Sequence, residues 1–147
     1  MANQKPQNLQ NHVRLVPPFH MFVLPVFFLN LVWSIYHLIK VGVSFESVLG
    51  VLMAFAFLTL ALFARVFALT VQDRVIRREM RMRLAEVLPA ELRPRIPEFT
   101  VAQLVSLRFA GDAELPALAR KVLDDKMNDR KPIKQMVKDW QGDYLRV

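Results

Sequence analysis

Two long apolar runs followed by a polar, amphipathic tail organise this chain. From Leu15 to Ile39 the sequence LVPPFHMFVLPVFFLNLVWSIYHLI carries no formal charge, and its length of about 25 residues exceeds the roughly 20 that a helix needs to cross the hydrocarbon core of a bilayer. A second run, VLGVLMAFAFLTLALFARVFALTV from Val48 to Val71, is of similar length and carries one charge, Arg65. The eight residues between them, Lys40 to Ser47, are too few for a folded domain, so the pattern predicts two antiparallel transmembrane helices over 15–39 and 48–71. Pro25, inside the first run, is expected to kink it, because proline offers no amide hydrogen to the carbonyl one turn back. Gly50, Ala54, Ala61 and Ala68 are small residues that permit a close helix approach.

Beyond the second run the period stays helical. In QDRVIRREMRMRLAEVL, residues 72–88, the apolar positions Ile76, Met80, Leu84 and Val87 or Leu88 share one face, which predicts that the second span continues as one long helix. Asp73 with Arg77, and Glu79 with Arg83, are spaced as i to i+4 pairs. Pro89, Pro94 and Pro97 then predict an extended linker over 89–99. A small helical domain is expected over 100–147. Thr100 would cap a helix ending before Gly111, and Asp112 would cap one carrying Leu115, Leu118, Ala119, Val122 and Leu123. Pro132 would start the last, with Ile133, Met136, Val137 and Trp140 on one face. The fold class read from this pattern is all-α: a two-helix transmembrane hairpin after a polar tail 1–14, its second helix extended into the cytoplasm, then a bundle of about three short helices. A domain of that size needs support from a partner, the membrane surface or the long helix.

Charge fixes the expected orientation. Lys5 and Arg14 precede the first span and Lys40 is offset by Glu46 in the turn, whereas five arginines lie between residues 74 and 83 against one acid, Glu79. The excess of cations after the second span places both termini in the cytoplasm. Arg74, Arg77, Arg78, Arg81 and Arg83 are therefore expected at anionic lipid headgroups, with Arg65 snorkelling to the same level. Asn30, Ser34 and Arg65 are the polar groups at membrane depth.

Little in the composition suggests chemistry. The chain has no cysteine, which removes disulfides, thiolate metal sites and thiol nucleophiles, and four glycines cannot build a phosphate-cradling loop. No Ser-His-Asp order and no HExxH is present, and His20 and His37, 17 positions apart on one helix, have no partner ligand in the second span. The expectation is a non-enzyme with no catalytic residue, metal or cofactor. The mixed charges of the tail also argue against nucleic acid, despite a sequence pI near 10.3.

The twin prolines of VPPFH, the segment VQDRVIRREMRMRL, and the tail pieces FTVAQLVSLRFAGDAELPAL and IKQMVKDWQGDYLRV resemble an uncharacterised family of small two-span bacterial membrane proteins, a domain of unknown function of which some members are labelled transporter permease. The resemblance spans nearly the whole chain. It implies two spans and a cytoplasmic tail in a bacterial inner membrane, and it brings no activity or functional residues.

The expected function is a membrane-anchored scaffold or accessory subunit that docks another protein subunit, or itself, through the apolar faces of the tail, with Phe99, Leu104, Leu107, Phe109, Leu118, Trp140 and Tyr144 as contact candidates. The alternative is a homo-oligomeric transport or channel component, suggested by Pro25, Asn30 and Arg65 at membrane depth.

Overall fold

The computed structural model describes residues 6–12 and 14–144, so Lys5 and the other ends of the expected N-terminal tail and C-terminal domain lie outside the described residues. Among these the chain is all-α: two long apolar helices followed by shorter ones. It divides into two compact units. One is Leu15–Leu69, and the other joins the N-terminal segment up to Arg14 to the chain from Thr70 onward.

In the first unit, Pro18–Val23 forms a π-helical turn that runs directly into helix α1, Leu24–Val41. This wide turn answers the problem set by Pro25. The Leu24 amide reaches back five residues to the Phe19 carbonyl, so the helix is wound out before the proline and enters its α-helical part with proline in the first turn, where no amide hydrogen is needed. Helix α1 ends on Gly42, whose φ of 94° lies in the region that favours glycine, and whose amide bonds Leu38 at 3.0 Å.

Helix α2, Phe45–Val87, begins three residues after α1 ends. The turn between them is held by reciprocal serine bonds: the Ser44 amide donates to Ser47 Oγ at 2.9 Å and the Ser47 amide to Ser44 Oγ at 3.1 Å. The buried Ser47 hydroxyl also lies 2.9 Å from the Gly42 carbonyl. The small-residue stripe is used as its spacing suggested. Ala54 and Ala61 are buried in the hairpin, and Phe27 stacks on Phe57 with centroids 5.7 Å apart. The outer faces carry exposed Phe22, Phe28, Phe55, Phe63 and Phe67, and both helices are long and apolar enough to cross a membrane.

The second unit is built on the remainder of α2. Ile76, Met80, Leu84 and Leu88, four residues apart in turn, are all buried in one core with Leu92, Phe99, Leu104, Val105, Leu107, Leu115, Val122 and Ile133. The small domain thus obtains its missing core surface from the long helix. Arg93 Nε closes the end of α2 by donating to the Leu88 carbonyl at 2.9 Å.

In place of the extended linker read from its prolines, the chain turns at Pro89–Leu92 and forms a 3₁₀ helix, Arg93–Glu98. Proline forbids an amide hydrogen bond but not a tight turn, and burial of Leu92 and Phe99 holds this segment down. Two ion pairs also fasten it to helix α4, Leu115–Asp124: Arg95 to Asp124 at 2.8 Å and Arg120 to Glu91 at 3.0 Å. Hydrogen bonds to Asp124 and then Glu98 raise the Arg95 pKa above its already high ordinary value.

Helix α3, Val101–Leu107, starts with a full capping box in which Thr100 and Gln103 satisfy each other's amides, and Gln103 Nε2 reaches the Met127 carbonyl at 2.8 Å. Asp112 does not cap α4. The residue before that helix is Glu114, whose carboxylate instead accepts the amides of Lys138 and Asp139, while Asp112 is taken by Arg83. Helix α5, Arg130–Gln135, is shorter than the expected helix reaching Trp140. Residues 139–141 pair antiparallel with 109–111 instead, with the Gln141 amide on the Phe109 carbonyl at 2.7 Å and the Gly111 amide on Asp139 at 2.9 Å.

Candidate functional site

Arg74, Arg77, Arg78 and Arg81 are spaced i, i+3, i+4 and i+7 along α2, so they share one helix face. Two shallow clefts open there. One, of about 470 Å³, is lined by Arg74, Arg77 and Arg78 with Val71 and Val75, and the other, of about 230 Å³, by Thr70, Asp73, Arg74, Arg77 and Val101. The local acid does not neutralise this face. Asp73 could have paired with Arg77 one turn on, but it bonds Arg130 Nη2 at 3.0 Å, across 57 positions. Among the described residues neither Arg74, Arg77 nor Arg78 has an ion pair or side-chain hydrogen bond, and Arg81 Nε is enclosed without a partner.

Arg83 behaves differently from its four neighbours. Its Nε donates to Asp112 Oδ1 at 2.7 Å, Nη1 to the Arg108 carbonyl at 3.2 Å and Nη2 to the Ala110 carbonyl at 2.6 Å. The guanidinium fork is used on protein, fastening α2 to the 108–112 turn. The expected Glu79 to Arg83 pair is replaced by this tertiary one.

A second cluster gathers the N-terminal segment. The Gln7 side chain accepts from the Asp143 amide at 3.0 Å and donates to the Asp143 carbonyl at 3.1 Å. His12 Nδ1 lies 2.8 Å from the Leu9 carbonyl and its Nε2 lies 2.9 Å from Lys134 Nζ. An ammonium can only donate, so in this contact Lys134 is the donor and Nε2 the acceptor. The His12 ring packs edge-on to Phe109, which stacks on Trp140 at 4.5 Å, while Arg108 lies over the Phe109 ring at 4.3 Å and pairs with Asp143 at 3.1 Å. The pairings of Gln7 with Asp143 and of His12 with Lys134 were not legible in the sequence, because contacts separated by more than 120 positions leave no local period.

The apolar contact candidates are mostly used up by folding. Phe99, Leu104, Leu107 and Phe109 are fully buried, Leu118 packs half-buried against the core and Trp140 is covered by its stack on Phe109. These residues belong to the core of the tail unit. Periodicity identifies an apolar face but not what covers it, and here α2 and the N-terminal segment do. Tyr144 alone of the set is exposed.

In the apolar hairpin, Asn30 is exposed and Ser34 is half-buried. Arg65 is half-buried on α2. His20 Nδ1 lies 3.0 Å from the Val16 carbonyl, a local bond at the start of the π turn. Among the described residues no group of three histidine, aspartate or glutamate side chains could hold a metal ion.

A family model described as a family of unknown function, DUF6526, matches residues 1–147, and the chain belongs to that family. No curated protein and no solved structure matches the chain.

Proposed function

We propose that this DUF6526 member is a non-enzymatic accessory or scaffold subunit of a bacterial inner membrane, anchored by two spans and presenting a prefolded helical unit on the cytoplasmic side. The observation that carries the reading is the division of labour within α2. Up to Val71 it is apolar enough to cross a bilayer, and from Ile76 to Leu88 the same helix supplies one wall of the core. A domain completed in this way needs no partner in order to fold, and its polar exterior is left for docking. The bonds between Gln7 and Asp143 support a common side for the two termini.

Gentle solubilisation and affinity purification of the full chain test the reading. One protein recovered at fixed stoichiometry in independent preparations is expected. Recovery of the chain alone, as a monomer or as a self-assembly, overturns it. Because the native chain lacks cysteine, Val43→Cys in the exposed turn and Tyr144→Cys near the C-terminus are clean topology reporters. In intact cells stripped of their outer layers, an impermeant maleimide is expected to label the first and spare the second.

One observation favours a second reading, a homo-oligomeric transport or channel component. Asn30 presents an exposed carboxamide from an otherwise apolar face of α1, and a polar group at membrane depth is stabilised by a partner helix. Ion flux through liposomes that is unchanged by Asn30→Leu and Arg65→Gln would dispose of it.

A further inference from the structure

We infer that Arg74, Arg77 and Arg78 form a binding site for the phosphate of an anionic phospholipid headgroup. The inference rests on reading the apolar helices as membrane spans. Three guanidinium groups line one cleft within about 6 Å of helix rise, and like charges so spaced on a helix repel. Local sequence offers the usual remedy in Asp73, but the fold withdraws it by pairing it with Arg130, and it withdraws Arg83 from the same collar by bonding it to Asp112. What remains is a set of forked donors with no carboxylate to answer them, joined on the same face by Arg81, whose enclosed Nε also lacks a partner. The chemistry that answers planar, delocalised cations is a phosphate with several acceptor oxygens.

The apolar part of the lining selects the source of that phosphate. Val71 and Val75 share the cleft with the arginines, and Val71 closes the apolar run of α2, so a phosphate esterified to diacylglycerol can place its glycerol against valine while its oxygens meet the guanidinium groups. A soluble phosphate uses the arginines but gains nothing from the valines.

The test is native mass spectrometry of the full chain in neutral detergent, with equimolar phosphatidylglycerol and phosphatidylcholine. Preferential phosphatidylglycerol adducts are expected, and Arg74→Gln/Arg77→Gln/Arg78→Gln is expected to abolish the preference. Each arginine near an anionic surface is worth about fivefold, so the loss should be on the order of a hundredfold. Lys121→Gln/Lys126→Gln/Lys131→Gln removes the same charge from exposed positions elsewhere and should leave the preference intact. Equal adducts of the two lipids, or equal loss in both variants, overturn the inference. So does displacement of phosphatidylglycerol by inorganic phosphate alone, which would mark a site for soluble phosphate. Extraction of the chain from membranes by alkaline carbonate would instead overturn the reading of the spans, which keeps the two failures apart.

Discussion

Gln7 and Asp143, 136 positions apart, are joined by a two-bond exchange in which one side-chain amide satisfies both backbone polar groups of a single residue. Removing it in Gln7→Ala leaves a half-buried amide and carbonyl without those partners, a cost of about 1–3 kcal/mol. The loss should appear as faster tryptic cleavage after Arg14. An unchanged rate would show that the pairing does not hold the N-terminal segment.

Leu84 is fully buried at the centre of the α2 stripe, whereas Met82 on the same turn is 67% exposed. Leu84→Ala should destabilise the tail unit by about 2–5 kcal/mol, and Met82→Ala by no more than about 0.5 kcal/mol. Thermal unfolding of the full chain in detergent, followed through the near-ultraviolet signal of the Phe109–Trp140 stack, separates the two.

The two tertiary ion pairs of α2 should differ in strength. Arg83 makes three bonds with a side chain largely shielded from water, and Arg83→Lys loses the fork geometry at a cost of about 1–3 kcal/mol. Asp73 and Arg130 are more open, and a double-mutant cycle should return about 0.2–1 kcal/mol, falling as salt is raised.

Ala54 is 1% exposed in the hairpin. Ala54→Leu adds volume where the helices meet and should cost about 1–3 kcal/mol, while Ala64→Leu on the exposed side of the same helix should be neutral. Resistance of the two variants to unfolding in denaturing detergent provides the comparison.

The sequence by itself determined the elements whose signals are local. Two runs with a single charge between them, Arg65, announced two long apolar helices, the four-residue step through Ile76, Met80, Leu84 and Leu88 announced a continuous helix with one apolar face, and Thr100 announced a helix cap, to which the structure adds the reciprocal bond from Gln103. Tertiary structure decided the partners. Asp73 and Glu79 each had a cation one turn away, yet Asp73 went to Arg130, and Arg83 went to Asp112 and two carbonyls, because tertiary packing brought those groups within bonding distance. The prolines of 89–99 read as an extended linker until the burial of Leu92 and Phe99 bent the segment into a turn. The same packing covered Leu104, Leu107 and Phe109, which periodicity could identify only as apolar, and left the arginine face open. Helical period depends on backbone geometry a few residues long, whereas burial and charge pairing depend on which distant segment arrives, and that is settled only when the whole core closes.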